Sequence, residues 1–361
     1  MENIDWIYNL KDEVSGFLNH QKSEVRDGYY KYSYSGDIYN EEDHWNVGSS
    51  VFALRCYYSL GFEKNMEIKN IANYIKSFKK NDLIYDDFLY QKTFVKNFLS
   101  SLKHRNFNNL FNKKYKRAET RQAYASLMLY DELPQDIMLQ IPLNKEEIEN
   151  YLSSFNWAKP WDAGSHFSHL LFFLKLAFNI NQIDENTYKE NTEYAVDWLN
   201  RIQNDVTGGW YRKNPDTRYI INGIMKVITG FIAIDKYEIA YPEKIIDLCL
   251  ESANDKHACD NFNIILVLYY VNKVTGSSYR KNEINNFAMQ RLEKYKAHYK
   301  KEQGGFSFHP YHSNHRYYGA KIAKGLNEAD IHGTFLFLYG ISLIAELLDI
   351  NNELDFKVYT T

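Results

Sequence analysis

Six strongly apolar segments recur along the chain: Val47 to Leu60, Ala118 to Tyr130, Phe167 to Phe178, Ile220 to Ile234, Phe262 to Val271 and Ile331 to Leu348. Their apolar residues have helical rather than alternating texture. Six amphipathic segments lie around and between them: Trp6 to Asn19, Met66 to Phe78, Lys145 to Ser153, Tyr188 to Ile202, Pro242 to Ala253 and Asn282 to Tyr295. Each of these keeps apolar residues on one stripe and charge on the other, as a helix covering a core does. No βαβ pattern or phosphate-binding loop interrupts the series, so the chain is expected to be all-α. Helices apolar all round must pack on every side, whereas striped ones face water on one. That asymmetry predicts an α/α toroid of about six inner and six outer helices, a single domain over residues 1–361. A superhelical stack of helix pairs is the competing layout. Closure is favoured because neither end carries a polar capping repeat.

Glycine–aromatic pairs punctuate the joints: Gly28-Tyr29, Gly208-Gly209-Trp210 and Gly304-Gly305-Phe306. The last two lie 96 residues apart, two units of about 48, a plausible helix-pair period. Aromatic residues make up 16% of the chain and prolines number only six, which argues against disorder. With 43 basic and 46 acidic side chains, a net charge of −3 and no long run of like charge, nucleic acid is not an expected partner. The longest apolar run, Phe262 to Val271, is about half the ~20 residues needed to cross a bilayer, so no transmembrane segment is expected. Three cysteines do not make a disulfide framework, and Met1 to Val14 lacks the charged and apolar regions of a signal peptide. A cytoplasmic location is the expectation. Composition leaves the oligomeric state open.

The chemistry-bearing residues gather just before the apolar helices. Asp43-His44-Trp45-Asn46 precedes the first, Arg117-Ala-Glu119-Thr-Arg121-Gln122 enters the second, and Trp157 to His169 (with Trp161, Asp162, His166) announces the third. Arg212, Lys213 and Arg218 precede the fourth, with Asn222 and Lys226 in its first turns; Asp255 to Asn261 precedes the fifth, and Glu328 to Thr334 the sixth. Parallel inner helices would bring these clusters to one mouth, together with six helix N-termini and their partial positive charge. With Arg117, Arg121, Arg212, Arg218, Lys226, Arg316 and Lys321 nearby, such a mouth suits an anionic substrate: a diphosphate, sulfate or uronate. The alternative for Asp43, Asp162 and Asp330 is plain helix capping. Capping does not explain so many His, Arg and Trp at the same ends.

Two constellations stand out. His257-x-Cys259-Asp260, with Asp330-x-His332, offers candidate zinc ligands, His257, Cys259, Asp260 and His332. The alternative is a small buried cysteine and a hydrogen-bonded core histidine. The second is the run from Phe308 to Lys321, with His309, Tyr311, His312, His315, Arg316, Tyr317, Tyr318 and Lys321. A long loop over a barrel mouth suits a lid or binding loop, with His309, Tyr311 and His315 as proton donors and acceptors. A solvent-exposed aromatic loop is its alternative.

Asp330-Ile-His332-Gly-Thr334-Phe-Leu-Phe-Leu-Tyr-Gly340-Ile-Ser342 resembles the closing helix of protein prenyltransferase β subunits, where an Asp, a zinc-binding His, a Thr and a Gly-x-Ser occur in similar order. Asp255 to Asp260 falls where that family carries an Asp-x-Cys zinc pair, and the Gly-Gly-aromatic joints are similar to those of terpenoid cyclases. The resemblance covers about the last 150 residues at motif level. It implies a toroid, Zn2+ on Cys259, Asp260 and His332, and catalytic Asp330 and His332. Neither an Asp-x-Asp-Asp acid nor the remainder of a class I metal motif beside Asp86-Asp87 is present.

Three functions compete. The first is a prenyltransferase- or terpenoid-cyclase-like transferase on an isoprenoid diphosphate, with Arg218, Lys226 and Arg316 on the diphosphate. The second is a carbohydrate-active lyase, hydrolase or epimerase on an anionic glycan, with Trp45, Trp157, Trp161 and Trp210 stacking on sugars. The third is a non-catalytic toroid that binds a partner.

Overall fold

The computed structural model describes residues 4–103 and 113–359, so the first three residues of the Met1 to Val14 segment lie outside the described residues. Fourteen α-helices and three two-stranded antiparallel ribbons occur among the described residues, and the all-α expectation holds. The six apolar segments are the cores of α2 (Val47–Ser59), α5 (Lys113–Met128), α7 (Pro160–Asn179), α9 (Thr217–Ile234), α11 (Ala258–Val274) and α13 (Ile331–Leu347). The amphipathic ones are α1 (Leu10–Gln21), α3 (Met66–Ser77), α6 (Lys145–Ser153), α8 (Glu185–Asn200), α10 (Pro242–Leu250) and α12 (Lys281–Lys296). Two helices fall outside the alternating pattern, α4 (Asp87–Lys103) and the single turn α14 (Asn351–Leu354). In α4 only Leu89, Tyr90, Thr93 and Ser101 are buried, too sparse a stripe to read against its lysines.

Local chemistry starts these helices where they start. The side chains of Asn65, Asn144, Asp184 and Asp216 accept from backbone N–H groups in the first turns of α3, α6, α8 and α9. Pro160 and Pro242 open α7 and α10, where a missing N–H costs nothing.

The chain divides into two compact units. One comprises Met1–Gln135, Leu292–Ser342 and Ile350–Tyr359; the other comprises Asp136–Arg291, Leu343–Asp349 and Thr360–Thr361. In the first unit α2 packs on α3 and α5, and its core holds Phe52, Ile71, Tyr124, Phe306 and Phe337. In the second, α7 and α9 form the most extensive helix pair, and α11 packs on both α9 and α10. Helix α9 is the one helix among the described residues long and apolar enough to cross a membrane, and 67% of it is buried inside the protein.

The glycine–aromatic joints recur with one geometry in both units. Gly304 has φ +69° and sits so close to α1 that a Cβ there would lie 2.2 Å from the Glu13 carbonyl oxygen. Gly208 has φ +72° and faces the Tyr241 carbonyl in the same way, at 2.6 Å. The aromatic that follows plugs the gap: Phe306 lies against Phe337, and Trp210 against Phe231.

Candidate active site

The start of α13 carries the densest set of functional groups in the first unit. Asp330 is fully buried and caps the helix: Oδ1 accepts from the Gly333 N–H at 2.8 Å, and Oδ2 from the N–H groups of Phe308 and Asn314 at 2.7 and 3.0 Å. Burial pushes its carboxyl up to about 7, against the opposing pull of those three N–H groups. The capping alternative therefore holds for Asp330, and every bond it makes is to backbone.

His332, one turn on, is half-buried. Its ring lies flat on Phe52, with centroids 4.4 Å apart and planes 12° apart, and Phe308 flanks it at 4.9 Å. Nδ1 meets the Tyr32 hydroxyl at 3.2 Å, and that hydroxyl accepts from Asn314 Nδ2 at 2.8 Å. Tyr32 therefore links the Asn314 amide to the imidazole.

The run from His309 to Lys321 is a structured element rather than an open loop. His309 bridges to His312, and β5 (Arg316–Tyr317) pairs with β6 (Ala320–Lys321) across Tyr318-Gly319. Both turn residues have positive φ, 45° and 89°, as a tight two-residue hairpin turn requires. Tyr317 points inward and is buried, whereas Arg316 and Lys321 face each other across the ribbon and are exposed. Like charges at directly opposed positions repel and disfavour the ribbon. His315 stands in the same positive neighbourhood; burial first, then Arg316, His312 and Lys321, hold its pKa down. Tyr311, expected as a proton donor, is 82% exposed at the tip of the His309 to His312 bend.

A second cluster lies on α2, α4 and α5. Arg55 is buried at 5% exposure; its Nε donates to Ser126 Oγ at 2.6 Å, one Nη to the Gln122 carbonyl, and its guanidinium lies over the Phe335 ring. Arg121 is buried too, its pKa lowered to about 9 by burial and then by the Arg55 charge. Arg117 is half-buried one turn earlier. Glu119 is buried and accepts from the Asp86 N–H at 2.9 Å, while Asp86 caps α4 through Leu89 and accepts from the Asn46 N–H. Burial drives the Glu119 carboxyl well up, and the Asp86 charge adds to it; Asp86 itself rises to about 6, mainly through burial. Tyr90 and Tyr318 complete this pocket of phenols, with Gln122 reaching the Tyr318 hydroxyl.

In the second unit the starts of α9 and α11 meet. Asp260 is fully buried; Oδ2 accepts from Arg218 Nε at 2.8 Å and Oδ1 from Asn222 Nδ2 at 2.9 Å, with Asn263 donating to Asn222 behind them. One Arg218 Nη contacts His257 Nε2 at 2.9 Å, which places the neutral imidazole's proton on Nδ1. Burial, with Arg218 assisting, lowers the His257 pKa. The Arg218 guanidinium also lies over the half-buried Trp161, 5.6 Å from its centroid. His166 is buried and stacked on Phe155, His169 is its ring neighbour, and Lys226 is half-buried where α9 passes Gly164.

Of the expected zinc ligands, Asp260 has Oδ2 engaged by the Arg218 guanidinium, whose positive charge opposes a divalent cation at that oxygen. Among the described residues no group of three or more His, Cys, Asp and Glu is placed to hold a metal. Trp45 and Trp210, expected to face substrate, are core residues instead: their indole N–H groups donate to the Asn40 carbonyl and Asn200 Oδ1, and both are essentially inaccessible. Sequence patterning missed Arg55, Tyr32 and Tyr90. Arg55 had a signal, as the lone charge in the run Val47 to Leu60. Tyr32 had none, since it is one of 31 tyrosines. No protein-family model, curated protein or solved structure is significantly similar to this chain.

Proposed function

We propose that the protein is an enzyme performing acid–base chemistry on an anionic substrate, with its catalytic centre at the start of α13. The observation carrying this reading is the Asn314–Tyr32–His332 chain of hydrogen bonds ending on a half-buried imidazole. Tyr32 orients the ring through Nδ1, so that Nε2 gives a proton to a leaving group when protonated and takes one from carbon or water when not. The exposed Arg316–Lys321 pair supports the negative charge of the substrate, because an anion between the two relieves their repulsion. The contact of His332 with Tyr32 suits proton transfer, which favours the carbohydrate-active reading: a lyase, hydrolase or epimerase on an anionic glycan. No step is assigned to zinc.

A second reading, transfer or cyclisation of an isoprenoid diphosphate, is favoured by the stacked rings of Phe52 and Phe335 beside Arg55, which suit an apolar chain and a developing carbocation. Both readings take the alternating helices as an α/α toroid, a layout supported by the sequence pattern. The deciding experiment incubates the purified protein with uronate-containing oligosaccharides and, separately, with isoprenoid diphosphates. Products from the glycans, lost at least ~100-fold in His332→Asn, are expected. Turnover of the diphosphates alone would move the assignment to the second reading, and full activity in His332→Asn would remove the proposed centre.

A further inference from the structure

Burying a cation without a counter-ion is strongly unfavourable, so buried arginines are normally paired with carboxylates. Arg55 breaks that rule. It is 95% buried within the first unit, and among the described residues it forms no ion pair with any carboxylate. Its partners are neutral: a serine hydroxyl, a backbone carbonyl and an aromatic face. These engage Nε and one Nη group. Arg121 is a second cation, close enough that the Arg55 charge lowers its pKa, and burial raises the phenols of Tyr317 and Tyr318 well above their usual range, so these two supply no negative charge. Burial drives the carboxyl of Glu119, another neighbour of Tyr318, well above the ordinary carboxylate range.

We propose that Arg55, with Arg121 beside it, is the seat of an oxyanion, a carboxylate or a phosphoryl group, that supplies the missing counter-charge. The guanidinium is already oriented by Ser126 and Gln122, so an incoming oxyanion meets a fixed planar donor rather than a mobile chain. Phe52 and Phe335 stack between His332 and the guanidinium, which sets the anion two aromatic layers behind the proposed catalytic imidazole. The inference deepens the reading of an anionic substrate and rests on it for the substrate, but the anion seat stands on Arg55 alone. Glucuronate and pyrophosphate are the two probes, and they separate the carboxylate and phosphoryl sources.

The test is calorimetric titration of the full-length protein with each probe in a chloride buffer of constant ionic strength, alongside thermal unfolding. At least one probe is expected to bind saturably, with Kd below about 1 mM, and to raise Tm. Arg55→Met, close in volume but uncharged, is expected to lose that binding while being at least as stable as the parent without anion, because a buried cation has been removed. Arg55→Lys keeps the charge, loses the planar fork, and is expected to weaken binding at least tenfold. His332→Asn is expected to bind the probe unchanged even if it proves irrelevant to turnover, which separates failure of this inference from failure of the catalytic assignment. Absence of saturable binding by both probes to the parent protein overturns the proposal, as does undiminished binding in Arg55→Lys.

Discussion

The imidazole of His332 lies parallel to the ring of Phe52, 4.4 Å away, and Phe52 in turn lies parallel to Phe335 at 5.3 Å. This three-ring stack connects the first turn of α13 to the interior of α2 and holds the histidine in one orientation, with Tyr32 in contact with its Nδ1.

Loosening the stack should therefore damage catalysis more than folding. Phe52→Leu is expected to lower kcat about tenfold with little change in KM, because the imidazole is still present but less well aimed. Steady-state kinetics on the substrate identified by the glycan and diphosphate assays check this; an unchanged kcat counts against the stack as a positioning device.

Glu119 predicts a pH dependence of stability. Its folded pKa lies above the ordinary carboxylate range because of burial. Its contribution is thus fully present below about pH 4.3, the unfolded value, and is lost as pH rises toward the folded value. Glu119→Gln removes the titration, so its stability relative to the parent should climb from pH 4.5 upward by at most about 1.4 kcal/mol per pH unit. Urea unfolding of both proteins from pH 4.5 to 8 reads the difference, and a constant offset contradicts the assignment.

Arg218 and Asp260 form a pair with one fully buried partner. Arg218→Ala leaves the Asp260 carboxylate with Asn222 as its remaining side-chain donor, and a loss of about 3 kcal/mol is expected. Replacing both with apolar residues of similar volume, Arg218→Met with Asp260→Leu, should recover most of it. Denaturant midpoints of the single and double variants decide; a single variant within 0.5 kcal/mol of the parent, on the scale of ordinary surface changes, shows the pair to be dispensable.

Gly304→Ala tests the joint. A methyl group there meets the Glu13 carbonyl at 2.2 Å in a backbone conformation that alanine disfavours. A loss of about 2–4 kcal/mol is expected, with the far-UV spectrum of the folded protein preserved. A silent substitution would mean that α1 moves aside freely.

Helical class, the positions of twelve helices and the glycine joints were legible in the sequence, because each follows from local periodicity and local backbone freedom. Helix α4 escaped because its apolar stripe is broken by lysines and largely exposed, and Tyr32 because nothing local distinguishes it among 31 tyrosines. The clusters at the helix starts were visible as clusters, but their internal roles were not. Trp45 and Trp210 look the same in sequence whether they face a substrate or a core, and Asp330 the same whether it caps or catalyses. Asp260 reads as a metal ligand in sequence, whereas in the fold its Oδ2 accepts from Arg218, 42 residues away, and its Oδ1 from Asn222. Residue type and spacing are encoded along the chain, whereas burial and partner choice are set by neighbours distant in sequence. The desolvation that raises the Glu119 carboxyl and surrounds Arg55 with neutral partners exists only once those neighbours have packed.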